Sequence, residues 1–313
     1  QTGFNAVAGG IRGTGNISIL VTNDASVGLI VDDFALNHVQ SQFVELFDIE
    51  QIEVFRGPQG TLFGKNTSAG AINITTKKPV MNEFTGTLEV SMSEYSSNSS
   101  NASKVNFAIN VPLMDDTLSA RLAIIADDSD GYYSNSKPSK PVTPAGASED
   151  YAAVDGGDEY LGGVDVLAGK LKFLWEPTDN YQALAMFEFV DDKSGAPAAA
   201  NETPDGEGYD WPGKGFPGIG NADPFVTGES STCDVAICVD DGHQIEVEGF
   251  YLTQALMFGD FTLKSITGMR KTEEVLNSTY TGEAWTSLYD ASRNTKRKML
   301  QQEFRLASDF DGP

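Results

Sequence analysis

The sequence predicts a membrane β protein in which a small mixed α/β unit precedes the strands of an antiparallel transmembrane barrel. Three observations carry this prediction: a period of two in the apolar residues after Pro79, a regular alternation of short and long connections, and no run near the ~20 apolar residues of a transmembrane helix. The last observation excludes a helical membrane protein. It does not count against a barrel, whose spans of roughly ten residues alternate apolar and polar side chains.

The first unit is built from short elements and tight turns. We predict strands at residues 17–21, 27–31, 49–55 and 71–76 and a helical turn at residues 42–47, because apolar residues alternate there between glycine-bounded turns. Residues 47–79 read FDIEQIEVFRGPQGTLFGKNTSAGAINITTKKP. The turns rely on the backbone freedom of glycine and the fixed φ of proline.

Together with IRG at residues 11–13 and SVGLIVDD at residues 26–33, this segment resembles the plug domain of TonB-dependent outer-membrane receptors. The resemblance covers residues 3–79 and includes about thirty positions in register. The resemblance assigns the following residues to the plug motif: Gly13, Gly57, Pro58, Gly60, Gly64 and Gly70. One departure is the pair Asp32 and Asp33, where the family more often has a single acid followed by glycine, so we expect a different turn.

After Pro79 the chain contains eight segments with the pattern of strands. They are residues 84–93, 104–111, 118–124, 170–175, 181–189, 248–258, 261–270 and 300–307. In 248–258 and 261–270 the phase of the alternation is ambiguous, so the sequence does not assign their residues to the two faces. Elsewhere we expect one face towards lipid, with Leu88, Val90, Phe107, Ile109, Leu122, Phe173 and Phe187. The other face, towards the lumen, carries Glu89, Asn106, Arg121, Lys172 and Glu188.

The connections favour a barrel over a soluble β-sandwich. Short turns at residues 112–117, 176–180 and 259–260 alternate with loops at the following ranges: 94–103, 129–163, 191–244 and 272–295. Outer-membrane barrels show this alternation of short periplasmic turns and long extracellular loops, whereas a sandwich has no reason to show it.

The resemblance implies a plug at residues 1–80 and a barrel from residue 81 to residue 313. An eight-stranded barrel is filled by its own side chains, and barrels with a plugged lumen have on the order of 22 strands. We therefore expect about eight of some 22 strands in this chain. The chain is expected to be truncated at both ends, without the TonB box before Gln1 and without the later strands.

The resemblance also implies a role for two arginines. In the family, the arginines of the IRG and RGP motifs pair with glutamates of the barrel wall, and Arg12 and Arg56 occupy those positions. A turn arginine without such a partner is the simpler alternative. The candidate partners within this chain are Glu89, Glu188 and Glu303.

Composition limits the kinds of ligand. A net charge of −24 argues against nucleic acid, because binding to phosphates requires Lys and Arg. His38 and His243 lie in no metal or triad spacing, so we predict no enzyme, no cofactor and no resident metal. Cys233 and Cys238 are too few ligands for a structural zinc site, and we expect a disulfide there.

The segment 191–248 holds thirteen Asp or Glu residues and two Lys residues, which predicts an acidic outer loop. Its aromatic residues either pack within the loop or contact cargo. The candidate substrate contacts are Asn16, Asn37, His38, Tyr209 and Trp211.

The function that the resemblance implies is TonB-dependent active transport of a scarce nutrient across the Gram-negative outer membrane. A ferric siderophore or another metal complex is the expected cargo, with oligosaccharide or cobalamin as alternatives. The implied partners are the TonB energy-transducing complex, outer-membrane lipid and the cargo. A passive porin-like channel, a surface adhesin and, more remotely, a soluble β enzyme remain open. A plug argues against the porin, because a filled lumen hinders diffusion.

Overall fold

The computed structural model describes residues 10–15, 24–38, 44–96, 99–131, 133–134, 160–195, 243–279 and 290–308. These residues form two sheets, which we call the small sheet and the wall sheet, and two short hairpins. Among the described residues, no helix has the length and apolar character needed to cross a membrane.

The small sheet has the strand order β4-β3-β6-β5. Its strands are β3 (Asp24–Val31), β4 (Phe34–His38), β5 (Ile49–Arg56) and β6 (Gly70–Thr76), and α1 (Gly60–Phe63) lies between β5 and β6. β3 runs parallel to β6, and the other pairs are antiparallel. Three of the predicted strands are confirmed, and the fourth, 17–21, lies outside the described residues.

The helical turn predicted at 42–47 is wrong over residues 44–47, which have no regular secondary structure. The reason is tertiary. Phe47 is buried in a cluster of wall-sheet side chains, and Asp48 has a φ of 53°, so this segment serves a contact with the other sheet.

The wall sheet has eight antiparallel strands in the order β16-β15-β14-β13-β12-β9-β8-β7. They are β7 (Thr85–Glu94), β8 (Asn101–Met114), β9 (Leu118–Ser129), β12 (Val164–Thr178), β13 (Tyr181–Asp192), β14 (His243–Phe258), β15 (Phe261–Thr279) and β16 (Asp290–Ser308). The eight predicted strands are therefore confirmed, but most of the loop predicted at 272–295 is strand. The sequence misses this part because charged residues, not apolar ones, pair across it, as Lys296 does with Glu273 at 2.6 Å.

The two short hairpins are two-stranded sheets that are separate from the small sheet and the wall sheet. One pairs β1 (Gly10–Ile11) with β2 (Thr14–Gly15). The other pairs β10 (Tyr133–Ser134) with β11 (Tyr160–Leu161), inside the connection predicted as a loop at 129–163.

The wall sheet has an inward face that contacts the small sheet and an outward face that does not. Arg121, Lys172 and Glu188 point inward, as predicted: the first two bond residues of the small sheet, and Glu188 is buried. Leu88 and Phe187 are exposed on the outward face.

The structure also settles the ambiguous phase of β14. Val247 and Tyr251 are buried on the inward face, while Phe250 and Leu252 alternate with them on the outward face. The phase is hidden in the sequence because both faces of this strand are apolar. One packs on the small sheet and the other faces outward.

The outward face carries a band without charge. On each of β9, β12, β13, β14, β15 and β16, five successive outward positions, counted from the end with the tight turns, are uncharged. The sixth position is charged on every one of these strands: Asp128, Asp165, Asp191, Glu248, Lys271 and Lys298. The band covers about nine residues of each strand, the length of a membrane-crossing β-strand.

Aromatic residues line the tight-turn end of this band. Trp175 and Tyr181 meet edge to face with ring centroids 5.7 Å apart, and Phe258 stacks on Phe261 at 5.9 Å. Such aromatic girdles flank the apolar band of membrane barrels. We call the charged sixth positions the charged border.

The band generates a prediction about Leu122, which occupies its third outward position on β9. With the band in a membrane, as the sequence predicts, Leu122→Arg should destabilise the folded protein by about 2 to 4 kcal/mol, because it would place a charge near the middle of the hydrocarbon. Leu118→Arg, the same change at the first position of the same strand, should cost roughly 0 to 1 kcal/mol. Equilibrium unfolding of the intact protein in lipid vesicles measures both, and equal costs would contradict the band.

Candidate functional site: the contact between the two sheets

The contact between the small sheet and the wall sheet begins at the turn between β3 and β4. Asp32 and Asp33 have φ values of 48° and 69°, so both residues of this two-residue turn are left-handed, as a type I′ hairpin requires. The sequence predicted a different turn here, because an acid stands where the family more often has glycine. In the structure this second acid, Asp33, adopts the left-handed region that glycine favours. We call residues 31–34 the acidic hairpin.

Asp32 forms the most buried ion pair of this contact. Its carboxylate accepts hydrogen bonds from the Thr76 amide at 2.9 Å, from the Thr76 hydroxyl at 2.5 Å and from Lys172 Nζ at 3.1 Å. The Lys172 side chain is 3% exposed and that of Asp32 11%. Lys172 Nζ also donates to the Thr76 carbonyl oxygen at 3.2 Å and bonds the Thr76 hydroxyl. The charges are thus paired and hydrogen-bonded, which burial requires.

Asp33 binds the far side of the wall sheet. Lys264 Nζ on β15 lies 2.6 Å from one carboxylate oxygen, and Arg305 Nη1 on β16 lies 3.2 Å from the other. The Gln301 side chain completes the contact: its amide donates to the Asp33 carbonyl oxygen, and its oxygen accepts from the Ala35 amide, each at 2.9 Å. These side chains are about one-third exposed, so this pair contributes less than the Asp32 pair.

Phe34 inserts into a socket in the wall sheet. Its ring is 2% exposed and meets Tyr251 edge to face at 4.9 Å. The floor of the socket is Gly268, where an added Cβ would lie 2.4 Å from Phe34 Cδ2. Tyr251 is held in turn by Glu188, which accepts its hydroxyl at 2.8 Å and lies 3.4 Å from Nε of the buried Arg270.

A second attachment lies at Phe47 and Asp48. Both carboxylate oxygens of Asp48 accept from Arg121, at 2.8 Å and 2.5 Å, in a bidentate pair. Phe47 packs among wall residues such as Ile125 and Val247, and Lys170 Nζ lies 4.4 Å from its ring centroid in a cation–π contact.

Glu45, just before this attachment, has an altered acidity. Burial raises the pKa of its carboxyl, and the carboxylates of Asp192 and Asp127 raise it further, while Lys104 and Lys170 act in the opposite direction. The loop of the small sheet therefore carries a carboxyl that holds its proton more tightly than a free one.

In the contact between the two sheets, the signs of the paired charges are the reverse of those in the predicted pairs. Acids of the small sheet pair with bases of the wall sheet, whereas Arg12 and Arg56 are exposed and form no ion pair with a described carboxylate. Two expected partners are engaged elsewhere, Glu188 with Arg270 and Glu303 with Arg305 at 2.6 Å. The pairing of Arg12 and Arg56 with wall glutamates stays a prediction.

The glycine motif has a clear structural reason at Gly70. Its φ is 154°, and an added Cβ would lie 2.3 Å from the Phe55 carbonyl oxygen, so only glycine fits beside β5. Gly13, Gly57 and Gly64 also have positive φ values, whereas Gly60 opens α1 after Pro58 without one.

Several predicted site residues cannot be placed in the contact. Asn16, Tyr209, Trp211, Cys233 and Cys238 lie outside the described residues, so the predicted disulfide stays a prediction. Asn37 and His38 belong to β4. The described part of the chain contains no cluster of three or more His, Cys, Asp or Glu residues that could hold a metal ion.

Comparisons with known families and proteins agree with this architecture. The TonB-dependent Receptor Plug Domain family matches residues 1–71. The pesticin receptor of Yersinia pestis is 31% identical over 149 residues, which are 48% of this chain and 18% of that protein. The probable TonB-dependent siderophore receptor PirA of Acinetobacter baumannii is 40% identical over 83 residues, 26% of this chain and 11% of that protein.

Two solved structures share the fold. The ferric yersiniabactin uptake receptor FyuA from Yersinia pestis superimposes with a TM-score of 0.64 at 19% identity, covering 99% of this chain and 42% of that one. PirA from Acinetobacter baumannii gives a TM-score of 0.59 at 17% identity, covering 89% and 37%. The chain thus spans less than half the length of these relatives.

The fold and the contact between the sheets define a class: a plug-type unit docked on part of an antiparallel barrel wall. The plug-family match at residues 1–71 and the fold shared with FyuA confirm the resemblance to TonB-dependent receptors seen in the sequence. The proteins that the chain matches are described as receptors.

The Asp32–Lys172 pair gives a test of the contact. Lys172→Met keeps the aliphatic stem but leaves Asp32 buried without a cation, at a cost of about 3 to 5 kcal/mol for a fully buried pair. Thermal unfolding of the intact protein and hydrogen exchange of the acidic hairpin measure the loss.

Two matched variants sharpen this test. Asp32→Asn combined with Lys172→Met should cost less than Lys172→Met alone, because no charge is left buried. Lys193→Ala, in an exposed pair with Asp191, should produce no measurable change. A Lys172→Met protein as stable as the unmodified protein would rule out a structural pair.

The Phe34 socket generates a separate prediction. Gly268→Ala should displace the Phe34 ring and cost about 1 to 3 kcal/mol through overpacking. Combining it with Phe34→Leu should recover part of the loss. Gly86→Ala, whose Cβ would lie 3.4 Å from the nearest atom, serves as the control in the same unfolding measurement. Equal effects at Gly268 and Gly86 would contradict the socket.

Proposed function

We propose that the chain is the plug and the first part of the barrel of a receptor that imports a scarce nutrient across the outer membrane, driven by TonB. In this proposal residues 1–80 form the plug and residues 81–313 the barrel segment. The observation that carries it is a unit matched by the plug family and fixed to a barrel-type wall by buried ion pairs.

The outward face supports the placement in a membrane. Its uncharged band has the length of a membrane-crossing strand, and polar side chains within it satisfy one another. Thr267 donates to Gln302 at 2.8 Å, Gln302 donates to Ser265 at 3.3 Å, and the Tyr181 hydroxyl donates to Gln254 at 2.7 Å.

The proposed cargo is a ferric siderophore or a related metal complex. The support comes from relatives: one matched structure is described as a ferric yersiniabactin uptake receptor, and another, a ferric enterobactin receptor of Pseudomonas aeruginosa, was solved with enterobactin. Oligosaccharide and cobalamin are the alternative cargoes.

The docked small sheet argues against a passive porin. Opening a path by displacing it would separate Asp32 from Lys172 and Asp48 from Arg121. Separating such pairs while they remain dry is costly, so the resting state should stay closed until work is done on the plug. Water entering the opened path would then solvate both partners, which allows the plug to return.

Uptake by cells that carry the intact receptor tests the proposal. Accumulation of iron from a panel of ferric siderophores should require both TonB and an energised inner membrane, whereas binding of the cargo to the receptor should require neither. A cell without the receptor is the control. Uptake that is independent of TonB would indicate a porin, and TonB-dependent uptake of only an oligosaccharide or cobalamin would overturn the assigned cargo.

A further inference from the structure

A short linker joins the small sheet to the wall sheet. The small sheet ends at Thr76 and the wall sheet begins at Thr85, so residues 77–84 are the covalent connection between the two. Within the linker the chain turns at residues 81–82. The Val80 side chain is 46% exposed, so packing of that side chain does not hold the linker in place.

The backbone of the linker is instead bound by one buried side chain of the wall. Asn110 on β8 is 0% exposed. Its Oδ1 accepts a hydrogen bond from the Val80 amide at 2.8 Å, and its Nδ2 donates to the carbonyl oxygens of Val80 at 2.9 Å and of Glu83 at 2.6 Å. Ser119 on β9 donates a further hydrogen bond to the Val80 carbonyl oxygen at 2.8 Å. We call Asn110 and Ser119 the linker clamp.

The chemistry of this clamp requires an amide side chain. A carboxamide carries a donor and an acceptor together, so Asn110 can bond both backbone groups of Val80, as a neighbouring strand would. Its second donor reaches Glu83 on the other side of the turn, which closes the turn onto the wall. The clamp therefore holds the course of the backbone.

The clamp lies beside an ion pair that also holds the linker. Asn110 is directly opposite Arg121 in the strand register, and Arg121 binds Asp48 of the small sheet. The Lys77 amide donates to the Asp48 carbonyl oxygen at 2.9 Å, so the start of the linker is attached through that pair. Ion pairs weaken when water reaches them, whereas the clamp consists of neutral groups around a fully buried side chain. Separation of Asp48 from Arg121 would thus free the start of the linker and leave the clamp in place.

We propose that the linker clamp is a stop for force. A pull that draws the small sheet off the wall unravels the chain as far as Pro79, and the clamp then bears the load. Without the clamp the load would pass directly to Thr85, the first residue of β7, and so to the wall. The inference rests on the transport proposed above, in which TonB pulls on the plug.

Single-molecule force spectroscopy of the intact receptor in a lipid bilayer tests the stop, with the receptor pulled by its amino-terminal end. In the unmodified receptor the extension should halt once the plug has unravelled, and a higher force should then release the clamp. That release should add roughly 17 Å, the extended length of residues 80–84. In Asn110→Ala the halt should disappear, and these residues should follow the plug at the force that unravels it.

The matched control is Asn106→Ala. Asn106 lies on the same face of β8, and its Oδ1 has no hydrogen-bond partner among the described residues, so this change should leave the halt as it is. Asn110→Asp keeps the acceptor but loses both donors, and it should behave like Asn110→Ala. Ser119→Ala removes a single bond of the clamp and should lower the force of release without abolishing the halt.

A general folding defect would not imitate these results. It would lower the forces at which the plug itself unravels, whereas loss of the clamp should change only the last event before the wall. If Asn110→Ala does not fold into the bilayer, Ser119→Ala decides the question through its force of release.

Two outcomes would overturn the proposal: an unmodified receptor that extends from plug to wall without a halt, or a halt at the same force in the clamp variants and the unmodified receptor. The force is applied through the end of the chain, so neither outcome depends on TonB. Uptake that is independent of TonB would instead overturn the proposed function.

Discussion

The structure depends on pairing charges in the contact between the two sheets. Asp32 and Lys172 lie where neither could remain alone, and the hydroxyl, amide and carbonyl groups of Thr76 occupy their remaining hydrogen-bonding positions. Burial of an ion pair rarely adds much stability, but it strongly penalises any arrangement that separates the partners. The pair therefore fixes the position of the small sheet on the wall.

The attachments around this pair differ in kind. Phe34 and Phe47 supply apolar contact, Arg121 supplies a bidentate bond to Asp48, and Gln301 bonds the backbone of the hairpin edge. Apolar burial resists displacement over any path, whereas the ion pairs weaken once water reaches them. In the transport proposed above, a plug held by both kinds of contact would stay closed at rest and could still be released when a pulling force admits water.

Much of the wall could be predicted from the sequence, because a period of two assigns every side chain to a face. Arg121 and Lys172 were placed on the inward face in this way. The prediction was incomplete where both faces are apolar, as on β14, or where neither is, as at the long-loop ends of β15 and β16. In both cases the alternation that identifies a strand or its phase is absent.

The partners in the contact could not be predicted, because they are distant in the chain. Lys172 is 140 residues from Asp32, and Lys264 is 231 residues from Asp33. The second acid of the turn was visible as a departure from the family pattern, and the lysines were visible at inward positions. Nothing local indicated that they meet. The family pattern instead suggested cations on the plug and acids on the wall, which is the reverse of the pairs described here.

In the proposed receptor, cations of the wall hold the plug in its closed position. Conductance of the intact receptor in planar lipid bilayers tests it most directly, with Arg121→Gln and Lys172→Met introduced together. The unmodified receptor should be closed, and the double variant should show a raised passive conductance. Neutralising two outward lysines, Lys271→Met with Lys298→Met, should leave the conductance unchanged. A double variant at Arg121 and Lys172 that is as closed as the unmodified receptor would show that these wall cations do not hold the plug.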